Sequence, residues 1–178
     1  MRRVVYRVAA SLDGYIAGPK GQIDWIVHDP TIDLASQFAA TDTVLLGRRT
    51  YELTLQPGAP PWPPNWRVYV FSRTLRAPLG PSVTLIRENI AEAVRALRAA
   101  SGPDIWLFGG GQLFASLLAL NSVDRLELTI VPVLLGGGTP FLGPGASQIP
   151  LELAHSQAYP SGIVSLQYDI QHTAPDRR

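Results

Sequence analysis

The sequence predicts an α/β domain, a three-layer sandwich with a mostly parallel central sheet and antiparallel strands at its C-terminal end. Three observations carry this expectation. Strand-like and helix-like segments alternate through the first two-thirds of the chain, as in sheets whose strands are joined by helical crossovers. The last third supplies strands with no helix between them. Residues 104–118, DIWLFGGGQLFASLL, join a buried strand, three glycines and an apolar helix in one stretch.

Taken in order, residues 3–11 (RVVYRVAAS) are rich in β-branched and apolar side chains and end near a turn signal, Asp13-Gly14, which predicts a central strand. The following loop, SLDGYIAGPKGQIDW, holds too much glycine and proline for a helix. Loops of this length in small domains are commonly functional or mobile. Asp29 and Pro30 read as an N-cap and first helical position, opening a helix to about Ala40 with Ile32, Leu34, Ala35, Phe38 and Ala39 on its apolar face. Residues 43–46 (TVLL) predict a second strand, followed by GRRT and a short helix over 51–55. The proline-rich segment 56–66 (QPGAPPWPPNW) reads as a structured surface loop, because strand-like sequence resumes directly at 67–71. Residues 83–86 form a fourth strand, and 89–100 place Ile90, Ala93, Val94 and Leu97 at helical spacing before Gly102-Pro103. After the glycine stretch, residues 124–135 (DRLELTIVPVLL) predict one long strand, with a bulge or edge at Pro132. A second glycine run, Gly136 to Gly138, follows. Residues 151–159 and 163–170 read as a closing antiparallel pair, with a polar tail from His172.

Size and composition exclude several function classes. The 178 residues fit one domain spanning 1–178, and the formal net charge of +1 gives no electrostatic case for nucleic acid or an anionic membrane. No apolar run reaches the roughly 18 residues of a membrane span. Arg7 and Asp13 interrupt the N-terminal apolar stretch, which argues against a secretory signal. The chain has no cysteine, which removes disulfides, thiol nucleophiles and thiolate metal sites and suits a cytoplasmic location. His28, His155 and His172 lack ligand spacing, so no metal site is expected.

The chemistry concentrates at strand ends, where ligands of such sheets gather. Consecutive glycines between strand and helix let backbone amides approach an anion, and the helix terminus adds partial positive charge. The same stretch is equally readable as a tight turn with no ligand, and it is not the G-x-G-x-x-G fingerprint. The second strand ends in GRRT and the third in SR. Arginine forks with neighbouring hydroxyls suit a ligand with several phosphates, although any one arginine is more often a solvated surface charge.

The segments GRRTYE, FSRT and FGGGQLF, in this order and spacing, resemble the dihydrofolate reductase fold, in which corresponding segments grip NADPH. SLDGYIA followed by QIDWI, and VPVLLGGGTPF, resemble the reductase domain of bacterial riboflavin biosynthesis enzymes, here as a stand-alone domain without a deaminase. The resemblance runs from residue 4 to about 168. It implies that Gly47, Arg48, Arg49 and Thr50 sit at the cofactor's phosphates. Ser72 and Arg73 would lie near the adenosine 2′-phosphate, and Gly109, Gly110, Gly111, Gln112 and Leu113 would wrap the pyrophosphate. The implied reaction is hydride transfer from NADPH to a small heterocyclic or ribosylamino-pyrimidine substrate, of the 5-amino-6-(5-phosphoribosylamino)uracil type. Asp33 is the nearest match to the helix carboxylate that holds the pterin in dihydrofolate reductases. Asp29 competes, with an N-cap role favoured for it. Asp13 and Trp25 would lie in the loop over the substrate. Alternatives are dihydrofolate reductase activity and a non-catalytic nucleotide-binding or dimerisation module. The resembled reductases also imply a homodimer.

Overall fold

The computed structural model describes residues 1–172 except 28, 77, 78 and 147, so His28 and the polar tail beyond His172 lie outside the described residues. The chain starts at the middle of its sheet. Strand β1 (Val4–Ser11) buries Val4, Val5 and Tyr6 completely, the continuous apolar run of a strand covered on both faces. A three-residue strand β2 (Tyr15–Ala17) follows, then helix α1 (Leu34–Ala39), β3 (Thr41–Gly47), α2 (Arg48–Thr54), β4 (Arg67–Phe71) and β5 (Val83–Ile86). Helix α3 (Ile90–Ala99) leads to β6 (Asp104–Gly109), α4 (Gly111–Ala119) and β7 (Arg125–Val131). The short β8 (Thr139–Pro140), β9 (Leu151–Ala158) and β10 (Val164–Ile170) close the chain.

The main sheet has the order β5-β4-β3-β6-β1-β7-β10-β9. Every ladder from β5 to β7 is parallel, and β10 pairs antiparallel with both β7 and β9. This is the predicted α/β architecture. One face packs Val4, Tyr6, Leu45, Ile105 and Leu107 against α3 (Val94, Leu97) and α4 (Leu113, Phe114, Leu117, Leu118). The other carries Val44, Leu46, Val68 and Val70 under Tyr51 of α2, with Trp62 and Trp66 of the proline-rich loop. That loop is therefore packed onto the sheet, as its resumption into β4 suggests.

Three expected elements differ. The first helix begins at Leu34, not near Pro30, and its cap is Asp33, whose carboxylate accepts the Ser36 amide at 3.0 Å. Asp29 is instead spent on the Thr31 amide and hydroxyl, at 2.8 and 2.5 Å, in a turn that precedes the helix. Arg48, Arg49 and Thr50 form the first turn of α2 rather than a loop before it. The strand expected over 124–135 stops at Val131, because Pro132 has no N–H for the ladder and Val133 turns back to donate to the Val131 carbonyl at 2.8 Å. The strands β2 and β8 have no counterpart in the sequence reading; they are two or three residues long and pair across more than a hundred positions.

Candidate active site

The glycine turn after β6 is where the chain's separate segments meet. A Cβ built on Gly47, at the end of β3, would lie 3.6 Å from the Gly109 carbonyl oxygen and 3.8 Å from the Gly110 nitrogen. One on Gly110 would meet Thr50 Oγ1 at 3.5 Å and Ile16 at 3.8 Å. The ends of β3 and β6, the start of α2 and strand β2 thus share one small space. Gly110 caps α4 without a side chain; its carbonyl accepts the Leu113 amide at 2.9 Å, and no side chain caps the Gly111 and Gln112 amides that open the helix.

The second glycine run locks this turn from outside. Gly143 donates to the Gly111 carbonyl at 3.0 Å, Phe141 donates to the Gly14 carbonyl at 3.0 Å, and the Tyr6 hydroxyl donates to the Phe141 carbonyl at 3.0 Å. A side chain at Gly111 would place its Cβ 2.5 Å from the Pro140 carbonyl oxygen. At Gly138, with φ of 137°, the Cβ would stand 2.0 Å from the Ala17 carbonyl oxygen. These backbones approach as closely as only glycine allows. Asp13 completes the clasp: its carboxylate accepts from Ser11 Oγ at 2.6 Å, from the Leu135 amide at 3.1 Å and from the Gly136 amide at 2.7 Å. These bonds, the Ser11 hydroxyl first, hold the carboxyl below its ordinary pKa.

The arginines stand at neighbouring strand ends. Arg48 Nε donates to Glu52 at 2.8 Å and its Nη1 to Thr74 Oγ1 at 3.0 Å, linking α2 to the loop after β4. In that loop the Ser72 hydroxyl accepts the Thr74 and Leu75 amides at 3.2 and 3.0 Å. Arg49 and Arg73 are exposed. Arg87, just past β5, donates to the Arg73 carbonyl at 3.1 Å and the Leu75 carbonyl at 3.2 Å. The sequence reading passed over Arg87. Its signal was available: it follows the fourth strand as Arg48 follows the second.

A cleft of about 210 Å³ opens on the sheet face that bears the tryptophans. Ile26, Val27, Phe38 and Trp106 are among its lining, with Arg7, Glu127, Gln167, Thr129 and Ser165 from β1, β7 and β10. Arg7 Nε donates to Glu127 Oε2 at 2.5 Å and Arg7 Nη1 to Thr41 Oγ1 at 3.1 Å. The Trp106 indole N–H donates to the Arg7 carbonyl at 3.2 Å, and the Phe38 ring meets Trp106 edge-on at 5.6 Å. Asp29 also lines the cleft, only 6% exposed, and hydrogen bonds from Ser161 and Thr31 hold its pKa down at about 2. Asp33, exposed and capping α1, is not among the lining residues; its bonds to Ser36 lower its pKa. Trp25 folds its indole N–H back onto the Gln22 carbonyl at 3.2 Å, and its neighbours Ile26 and Val27 reach the cleft. Arg7 and Glu127 were not singled out from the sequence, although Arg7 is the one charge within β1 and Glu127 lies between two leucines of β7.

A parallel sheet ending in antiparallel strands, with glycine turns and arginines at its strand ends, defines a dihydrofolate-reductase-like α/β protein. The RibD C-terminal domain family matches residues 2–165, and the chain belongs to that family. It is 33% identical to the uncharacterized protein YyaP of Bacillus subtilis (strain 168), over 94% of each chain. Among solved structures, a Shewanella sp. PV-4 protein assigned to riboflavin biosynthesis superposes with a TM-score of 0.83 at 25% identity, covering 97% of this chain and 100% of that one. A Thermotoga maritima diaminohydroxyphosphoribosylaminopyrimidine deaminase/5-amino-6-(5-phosphoribosylamino)uracil reductase gives 0.71 at 18% identity, over 96% of this chain and 57% of the larger protein. Enterococcus faecalis dihydrofolate reductase, complexed with NADP(H), gives 0.67 at 20% identity over 96% and 97% of the two chains.

Proposed function

We propose that the protein is an NADPH-dependent reductase acting on a small heterocyclic or ribosylamino-pyrimidine substrate, in the cytoplasm and as a homodimer. The observation that carries the reading is the convergence of Gly47, Thr50 and Gly109–Gly110 at adjacent strand ends, beside Arg48 and the Ser72–Arg73 loop. Side chains at those glycines would fill the space, so the donor set fits a diphosphate held by backbone amides and arginine forks. In this reading Arg48, Arg49 and Thr50 hold the phosphates, Ser72 and Arg73 take the adenosine 2′-phosphate, and Gly109 to Leu113 wrap the pyrophosphate. When bound, NADPH supplies the hydride. The family membership and the NADP(H)-bound dihydrofolate reductase of the same fold support it.

On the substrate side, the lining of the sheet-face cleft favours Asp29 over Asp33 as the carboxylate nearest the substrate, and its hydrogen bonds assign it an acceptor role. Asp13 positions the second glycine run, and Trp25 supports the cleft wall through Ile26 and Val27. The dimer reading draws on the exposed leucines Leu12, Leu134, Leu151 and Leu153 and on the open edge of β9.

Titration of the purified protein with NADPH and NADH, followed by nicotinamide fluorescence, tests the cofactor. NADPH is expected to bind at least about tenfold more tightly, and Arg48→Ala and Arg73→Ala are each expected to weaken it about tenfold, the scale of one charged hydrogen bond. Equal affinities for the two nucleotides, or wild-type binding in both variants, would sink the cofactor assignment. Light scattering at several concentrations reads the dimer directly.

A further inference from the structure

The sheet-face cleft carries a polar row that no part of the cofactor reading uses. Parallel pairing of β1 with β7 sets Arg7 beside Glu127, and antiparallel pairing of β10 sets Gln167 on Glu127's other side. Side chains on adjacent paired strands at matching register point to the same face, so these three stand side by side. Ala9, Thr129 and Ser165 form the next row by the same pairing. Above this polar floor, Ile26, Phe38 and Trp106 supply apolar wall. A few placed polar groups within apolar walls is the make-up of a small-molecule site, and about 210 Å³ is smaller than the roughly 300–1,000 Å³ of drug-sized sites.

We infer that this cleft takes a flat nitrogen heterocycle carrying no phosphate, and that Glu127 fixes it by accepting hydrogen bonds from ring N–H or amino groups. This rests on the reductase reading above and narrows its substrate class. A phosphate needs a local excess of positive charge. Among the described lining residues Arg7 is the one cation, and two of its nitrogens are turned to the protein's own groups, Nε to Glu127 at 2.5 Å and Nη1 to Thr41 at 3.1 Å. Two carboxylates, Glu127 and Asp29, line the same cleft, so a phosphate here meets excess negative charge. Glu127, by contrast, has an acceptor to spare. Arg7 holds Oε2, while Oε1 accepts from no described residue. Arg7 is thus the positioning residue for Glu127, and the Gln167 amide beside it can complete recognition of a ring edge. The Trp106 ring, fixed by its bond to the Arg7 carbonyl, offers a flat apolar wall. Phosphate-binding groups and the phosphate-free cleft are kept apart: the exposed arginines follow β3, β4 and β5, whereas the cleft lies over β1, β7 and β10.

The test compares two ligands that differ only in the phosphate, 5-amino-6-(5-phosphoribosylamino)uracil and its dephosphorylated ribosylamino form. Binding is measured by calorimetry to the full chain, with and without saturating NADPH. The dephosphorylated compound is expected to bind at least about tenfold more tightly. Glu127→Gln is expected to weaken it about tenfold or more, as a charged acceptor becomes a neutral one, while NADPH affinity stays within about twofold. Equal or tighter binding of the phosphorylated compound overturns the inference, and so does binding of neither compound to the NADPH-saturated protein. If Glu127→Gln does not fold, the wild-type comparison alone decides the phosphate question. Failure of NADPH to bind, with the ligand preference intact, would remove the reductase reading and leave the cleft assignment standing.

Discussion

One face of the sheet has two halves built on opposite plans. Over β3, β4 and β6 the outward positions are Val44, Leu46, Val68, Val70, Trp106 and Phe108, and they are covered by Tyr51, Trp62 and Trp66. Over β1, β7 and β10 the same face presents Arg7, Glu127, Gln167, Thr129 and Ser165, and a cleft stands above them. Backbone and ladder are alike across the boundary, which runs between Trp106 and Arg7. Side-chain identity at alternate positions decides which half is filled by the protein and which is left for a ligand. The aromatic half lends rigidity, since Phe38, Trp66 and Trp106 meet in tilted and edge-on contacts at 5.6–6.0 Å. The polar half keeps desolvation of its charges incomplete, with the side chains of Arg7 and Glu127 12% and 20% exposed.

The contrast can be broken first at Trp66, which is 3% exposed. Trp66→Ala is expected to cost about 3–5 kcal/mol by urea unfolding, the loss typical of a buried aromatic. Thr129→Val in the open half is expected to stay within about 0.5 kcal/mol, as partly exposed sites do. Equal losses would mean that the cleft half is packed as tightly as the aromatic half. A middle-sized effect sharpens the boundary. Glu127→Ala leaves the Arg7 guanidinium short of its partner and is expected to cost about 1–2 kcal/mol, less than a fully buried pair because both groups touch solvent. The double change Arg7→Met with Glu127→Leu is expected to recover most of that loss. If the double variant is no more stable than Glu127→Ala, the pair is not acting as a unit. A further effect, read by pH, concerns Asp29 in the cleft lining. Its pKa is about 2 in the folded chain against a reference of 3.8, so its contribution is present above pH 4 and is lost as pH falls through about 2. Acid unfolding of Asp29→Asn is therefore expected to be less steep between about pH 4 and 2 than that of the wild type, and parallel curves would refute this.

Much of this was legible because it is local. The runs VVY, TVLL and RVYVF announce strands by composition, and the β6–glycine–α4 stretch shows its turn in the residues themselves. What escaped depends on partners far along the chain. Asp29, followed by Pro30, reads as the cap, but Thr31 and Ser161 engage it, the second from more than a hundred residues away, and Asp33 caps the helix instead. Arg7 and Glu127 could be noticed as charges within apolar strands, but only the β1–β7 register sets them opposite each other. The strand-end arginines were readable as a set, and Arg87 extends that set by the same rule.

The position of β1 has a consequence for synthesis. It leaves the ribosome before the strands it pairs with, which are β6, met at residues 105–107, and β7, met at 125–131. At about 5–20 residues per second, those partners emerge roughly 5–25 s later. Through that interval the segment with Val4, Val5 and Tyr6 has no native strand to pair with, and it is an exposed apolar stretch for chaperones to hold. Slower elongation before residue 104 lengthens this exposure, whereas slower elongation after residue 131 leaves it unchanged. A strand at the middle of the sheet is enclosed late, and the pace of translation between it and residue 104 sets how long it waits.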